Sequence, residues 1–132
     1  MKKILILLLL MISTNVFAEW LRFADNDDGN ETVYVDLETI KRKGNKVKMW
    51  NLFDFKTAKI SPLDNRSYLS QLSLNEYDCE EETNRTLDFY FYSGNMRGGE
   101  VVASQSNIKQ EPTAILPGSM GEGLFKIACG KK

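Results

Sequence analysis

Hydrophobic and polar residues alternate along most of the chain, which is the period of a β-strand with one buried face. The alternation is clearest in 46–55, where Val47, Met49, Phe53 and Phe55 fall on one side. Short runs rich in glycine, asparagine and aspartate separate the alternating segments, as in hairpins. The pattern predicts six strands, at 20–25, 31–36, 46–55, 66–79, 85–93 and 99–105. Their short connections predict a largely antiparallel sheet.

The segment 85–93 has two chemically different sides. One consists of Leu87, Phe89 and Phe91, and the other of Asp88, Tyr90 and Tyr92. Because the phenylalanine side is the more apolar, we expect it to face the core, with the tyrosines at least partly exposed. Asp88, Tyr90 and Tyr92 are therefore our candidate interface residues. Core packing explains most of the wider aromatic set (Trp50, Tyr68, Tyr77) equally well.

The last segment, 117–132, has the signals of a short helix rather than a strand. Ser119 and Glu122 have the spacing of a capping box, and Gly130 suits the C-terminal end. An apolar stripe is formed by Met120, Leu124, Ile127 and Ala128. A helix of about ten residues is marginal alone, so we expect it to dock on the sheet.

The first 18 residues have the features of a cleaved signal peptide, which leaves 19–132 as a single domain. Lys2 and Lys3 precede an apolar stretch at 4–12, and small residues precede a cleavage point between Ala18 and Glu19. The apolar stretch is short for a membrane span and no second one follows, so we expect no integral membrane segment after cleavage.

The residue after the cut determines the expected anchoring. It is Glu19 rather than cysteine, so we expect no lipoprotein anchor. The leader is typical of bacteria, and the expected location is the periplasm, the cell surface or the medium of a Gram-negative cell.

Charge and cysteine content limit the partners and the redox state. The net charge is −1 and becomes about −3 without Lys2 and Lys3, so nucleic acid is not an expected partner. Cys79 and Cys129 are the only cysteines. In an exported protein we expect them to form a disulfide, which would hold the helix against the strand that ends at Cys79.

The residues expected of an enzyme are mostly missing. The chain has no histidine, which excludes Ser-His triads and most zinc sites. The glycine-rich 118–123 has the wrong spacing for a phosphate loop, and the acidic 25–31 fails the EF-hand pattern at both ends. We therefore expect no catalytic residues, no cofactor and no metal site.

Five segments in order resemble the surface-adhesin protein E family of Gram-negative bacteria. They are VYVDLETI (33–40), MWNLFDFK (49–56), NEYDCEE (75–81), YSGNMRGGEVVASQ (92–105) and PGSMGEGLFKIACGKK (117–132). The resemblance covers nearly the whole mature chain. Tryptophans that the family often has are replaced here by Gln110 and Phe125, so interactions resting on them are not carried over.

The resemblance implies a mainly β (α+β) fold. It consists of a single curved antiparallel sheet of about six strands, with a C-terminal helix tethered to the concave face by Cys79–Cys129. It also implies a non-catalytic, adhesin-like binding module for host extracellular-matrix or serum proteins. Dimerisation of the module through a sheet edge or the tyrosine side is part of this hypothesis, and an envelope protein is the other candidate partner. The alternative that stays open is a periplasmic accessory or structural domain with no host ligand.

Overall fold

The computed structural model describes residues 20–130, so the predicted cleavage point between Ala18 and Glu19 lies outside the described residues. The strands are β1 (Leu21–Asp25), β2 (Glu31–Val35), β3 (Lys41–Lys43), β4 (Lys46–Ile60), β5 (Ser67–Asp78), β6 (Thr83–Tyr92), β7 (Val101–Gln105) and β8 (Thr113–Ala114). Short 3-10 turns occupy Leu37–Thr39 and Asn95–Arg97, and the helix α1 spans Met120–Gly130.

The eight strands found within residues 20–130 belong to one antiparallel sheet. The central order is β1-β2-β4-β5-β6-β7, with β3 added to β4 and β8 added to β6. The predicted fold class, a single antiparallel sheet with a C-terminal helix, is confirmed, and the six predicted strands are those of the central order. The sequence pattern missed β3 and β8 because three and two residues are too few to show a period.

The face of the sheet against α1, the helix face, contains two hydrophobic clusters. The first cluster joins the sheet to the helix and consists of Val33, Val35, Val47, Met49, Tyr77, Leu124 and Ala128. The second cluster, at the other end of the same face, consists of Phe55, Tyr68, Phe91 and Val102. Phe53 packs against both clusters and connects them.

The helix covers only part of its face because it is short. Its 11 residues span about 16 Å. The 15 residues of β4 span about 50 Å. The phenylalanines of β6 therefore lie on the helix face but beyond the helix, where the ring of Phe91 stacks on that of Tyr68 at 4.1 Å. At this end of the face, the phenylalanines of β6 pack against the second cluster instead of against the helix.

The disulfide joins the end of β5 to the last turn of α1. Cys79 and Cys129 are bonded, with their Cα atoms 5.7 Å apart and a sequence separation of 50. The hairpin between β3 and β4 meets them at the same corner. The backbone N–H of Cys79 donates to the carbonyl of Asn45 at 2.8 Å, and the guanidinium of Arg42 donates to the carbonyl of Cys129 at 3.5 Å.

A polar group of three side chains lies inside the first cluster. The Oδ1 atom of Asn51 accepts hydrogen bonds from the Asn75 amide at 2.9 Å and from the Tyr77 hydroxyl at 3.4 Å. Tyr77 is only 1% exposed, and its burial raises the pKa of the hydroxyl. The hydroxyl is therefore kept neutral well above the usual titration range of tyrosine.

Candidate interaction surface

The face opposite α1, the open face, presents a row of large side chains across four strands. Tyr34 of β2 lies opposite Leu52 of β4, which lies opposite Leu72 of β5, which lies opposite Tyr90 of β6. Directly opposed residues project from the same side of a sheet. Since their neighbours Val33 and Phe53 belong to the helix face, this row must lie on the open face.

Two members of the row, Leu72 and Tyr90, line an aromatic groove of about 440 Å³. Its lining residues are Trp20, Asp36, Thr39, Trp50, Leu72, Tyr90, Tyr92 and Arg97. The rings of Trp50 and Tyr90 lie 6.4 Å apart at an angle of 38°, a tilted contact typical of aromatic pairs. The aromatic groove therefore has a floor of packed rings and leucine.

One wall of the aromatic groove is the turn between β6 and β7. The guanidinium carbon of Arg97 lies 5.6 Å from the centre of the Tyr92 ring, which is cation–π distance. Met96 and Arg97 both have left-handed backbone conformations, with φ of 51° and 63°. Such residues cost about 1–3 kcal/mol each and persist only where other contacts hold them.

Two side chains hold this strained turn in place. Ser70 Oγ accepts from the backbone N–H of Arg97 at 3.0 Å and donates to the carbonyl of Gly94 at 2.7 Å. Asp54 Oδ1 accepts from the backbone N–H of Met96 at 2.8 Å. The position of Arg97 over Tyr92 is thus imposed by β4 and β5 rather than by the turn itself.

The other end of the aromatic groove continues into a second depression of about 490 Å³. Trp20 and Asp36 line both, and the exposed side chains of Leu21 and Leu37 border the second. Asp36 is buried, and its Oδ1 accepts from the backbone N–H of Glu38 at 3.1 Å. The carboxylate therefore caps the turn beneath the groove.

The predicted interface residues fall in two different settings. Tyr90 and Tyr92 line the aromatic groove and are half-buried. Asp88 accepts a hydrogen bond from the backbone N–H of Asn107 at 2.9 Å, so its carboxylate fixes the chain after β7. Tyr68 and Tyr77, the other tyrosines of the aromatic set, are buried in the two clusters of the helix face.

Trp20 and Arg97 are among the residues of the aromatic groove that sequence reasoning missed. Trp20 precedes β1 and had no pattern that placed it beside Trp50. Arg97 belongs to a turn, where the alternation of hydrophobic and polar residues does not predict which face of the sheet a side chain lies on. The only available signal for Arg97 was its place in a glycine-rich connection directly after the tyrosines.

Oxygen atoms of the acidic loop at 25–31 accept hydrogen bonds from the loop's own backbone and from neighbouring residues. Asp28 accepts from the backbone N–H of Asn30, and Asn26 accepts from that of Glu31. The hydroxyl of Thr32 donates to Asp25 at 2.7 Å, and this bond, followed by that from Arg22, lowers the pKa of the Asp25 carboxyl. These hydrogen bonds give the loop a structural role as a turn.

Taken together, these features define a class: a small α+β protein with one antiparallel sheet, one face closed by a disulfide-tethered helix and the other face open and aromatic. The family model described as Surface-adhesin protein E matches residues 20–130. The chain belongs to this family. A comparison with curated proteins finds no match. Within residues 20–130, no helix has the length and apolar character needed to cross a membrane.

The fold is similar to solved structures of protein E from Haemophilus influenzae. The structure of crystal form II has a TM-score of 0.65 at 18% identity, and the match covers 89% of this chain and 91% of that chain. The crystal structure of protein E from non-typeable Haemophilus influenzae has a TM-score of 0.62 at 17% identity, and the match covers 89% of this chain and 79% of that chain. At these identities the likeness establishes the fold alone.

Proposed function

We propose that this protein is a non-catalytic, adhesin-like binding module of the bacterial cell envelope, and that its partner is a host extracellular-matrix or serum protein. The observation that supports this most directly is the aromatic groove on the open face. Tyrosine, tryptophan and arginine are the residues most enriched at the energetic centres of protein interfaces. Trp50, Tyr90, Tyr92 and Arg97 place all three types around one groove.

The rigidity of the aromatic groove also supports binding. Side chains that are already ordered lose little entropy when a partner docks. Tyr92 lies under Arg97, and Tyr90 packs on Trp50. The turn between β6 and β7 holds Met96 and Arg97 in left-handed conformations, and strain of this kind is typical of sites that position a side chain for function.

Replacing Tyr90 and Tyr92 together with serine should weaken partner binding at least tenfold and leave the monomer folded. Both rings lie on the open face, so their removal does not open the two clusters. The probes are immobilised human serum proteins and a basement-membrane extract digested to remove glycosaminoglycans, so that protein is the only partner. Biolayer interferometry measures binding, and circular dichroism checks the fold.

A matched control removes apolar side chains elsewhere. Ile60→Ser/Leu116→Ser changes residues that are 60% and 68% exposed and lie outside the groove. Equal losses in both double variants would contradict a role for the aromatic groove. A wild-type protein that sediments as a dimer, and a tyrosine variant that sediments as a monomer, would assign the groove to a second copy instead.

The location of the protein in the cell distinguishes an adhesin from a periplasmic accessory domain. If the protein acts as an adhesin, protease added to intact cells should remove it while a periplasmic marker survives. Recovery of the intact protein only after the outer membrane is opened would favour the periplasmic alternative.

A further inference from the structure

The hairpin of β3 and β4 carries a regular array of positive charge. Lys41 lies directly opposite Lys48, and Lys43 directly opposite Lys46. Opposed residues and their neighbours two positions along a strand share one side of a sheet, so all four ammonium groups project together. We call these four residues the lysine ladder. All four are exposed, and with Arg42 and Glu76 they line a depression of about 430 Å³.

This arrangement works against folding. Like charges directly opposite each other across two strands destabilise a sheet. Within residues 20–130, none of the four lysines takes part in an ion pair. Because the two like-charge pairs do not stabilise the fold, we interpret them as a site for a negatively charged ligand.

The neighbouring acidic groups Glu76, Asp78 and Glu38 form no ion pair with the ladder. Glu76 lies opposite Lys48, but its carboxylate pairs with Arg85 at 2.9 Å. Asp78 lies opposite Lys46, but its Oδ1 accepts from the backbone N–H groups of Glu80 and Glu81. Glu38 borders a neighbouring depression with Lys41 and Lys48 and forms no ion pair with them.

We propose that the lysine ladder binds a sulfated linear polysaccharide, an interaction that goes beyond the proposed protein binding. The lysine ammonium is a compact point charge with three donors, and it binds tetrahedral oxyanions without the fixed bidentate geometry that arginine requires. The one arginine of the hairpin, Arg42, donates to the carbonyls of Gly44 and Cys129. Two rows of lysines at strand spacing match successive anionic groups along an extended chain.

The exposure of the ladder favours a polymer over a small anion. An isolated sulfate on hydrated surface lysines gains little, whereas a polyanion releases counterions at several points together. A lipid surface is a poorer fit. Basic surfaces that bind membranes combine charge with inserted apolar side chains. The exposed residues of 41–46 are lysine, arginine, glycine and asparagine.

The test measures binding to heparin, the probe polysaccharide, by calorimetry at several salt concentrations. Lys43→Gln/Lys46→Gln is compared with Lys56→Gln/Lys109→Gln, which removes the same charge from exposed lysines outside the ladder. The ladder variant should bind heparin at least tenfold more weakly and with a shallower salt dependence, while the control binds like wild type. Because the like-charge pairs oppose folding, the urea midpoint of the ladder variant should be equal or higher.

Three further probes identify the ligand class. Fully desulfated heparin should not bind, and single-stranded DNA and anionic phosphatidylglycerol vesicles should bind more weakly than heparin. Tighter binding to DNA or vesicles, equal weakening by the control variant, or no heparin binding at physiological salt would each overturn the proposal. Tyr90→Ser/Tyr92→Ser should retain heparin binding, so failure of the proposed protein interaction and failure of the ladder are distinguishable.

Discussion

A variant with serine in place of both Cys79 and Cys129 should lose about 2–5 kcal/mol of its free energy of unfolding. The bond closes a loop of 50 residues, and the chain-entropy model assigns roughly 4 kcal/mol to a loop of that length. The helix should detach before the sheet unfolds. Its 11 residues are marginal alone, and its buried side chains are only Leu124 and Ala128.

Urea unfolding and amide hydrogen exchange measure this result. The free energy of unfolding should fall by the stated amount, and the amides of α1 should lose protection while those of β4 and β5 keep theirs. Reduced wild-type protein serves as the control and should behave like the variant. Full protection of the helix amides in the variant would mean that apolar packing alone holds the helix.

Tyr77→Ala should be the most damaging single substitution, at about 3–5 kcal/mol. Tyr77 is the largest fully buried side chain, and it lies between the sheet and the helix, with its ring 6.4 Å from that of Phe125. Removing it leaves a cavity in the first cluster and takes away one of the two hydrogen bonds to Asn51 Oδ1. Tyr77→Phe keeps the ring and should cost only about 1 kcal/mol at neutral pH for the lost hydrogen bond.

Comparing wild type with Tyr77→Phe at alkaline pH tests the ionisation of the buried Tyr77 hydroxyl. Burial raises the pKa of Tyr77, so the folded protein favours the neutral hydroxyl. The contribution of this pKa difference to the free energy of unfolding is fully present below the pKa of tyrosine in the unfolded chain, about 10. It is lost as the pH rises toward the higher pKa of Tyr77 in the folded protein. At pH 11 the wild type should therefore have lost about 1.4 kcal/mol that Tyr77→Phe does not lose.

Urea midpoints of wild type and Tyr77→Phe at pH 8 and pH 11 test this expectation. The gap between the two proteins should close at the higher pH. Burial also raises the pKa of Tyr68, which is unchanged in both proteins and cancels in the comparison. An equal gap at both values would show that the Tyr77 hydroxyl ionises as readily in the folded chain as in the unfolded one.

The strands and the helix were predictable because each repeats its period over enough residues. Val47, Met49, Phe53 and Phe55 share the helix face as their alternation indicates. The extent of the helix on that face was not predictable, because no pattern in 120–130 specifies the end of β4 against which it packs. The division of the core into two clusters follows from that placement.

The surface features depend on register and turn geometry, which alternation does not specify. The eight letters KRKGNKVK (41–48) show a basic segment, but only the pairing of Lys41 with Lys48 and of Lys43 with Lys46 places its lysines in two rows. The near-neutral net charge of the whole chain conceals this local excess. Arg97 reaches Tyr92 because Ser70 and Asp54, distant in sequence, hold the turn between them.

Core packing lies on one face of the sheet and the aromatic groove on the other, and this separation has an evolutionary consequence. The helix face contains the disulfide and both hydrophobic clusters, so most of the selection for a folded protein acts there. Substitutions of the half-buried side chains that line the aromatic groove, such as Tyr90 and Tyr92, then cost less stability than substitutions in either cluster. A lineage can replace its recognition chemistry while inheriting the same scaffold, and relatives that share this fold are free to diverge in what they bind.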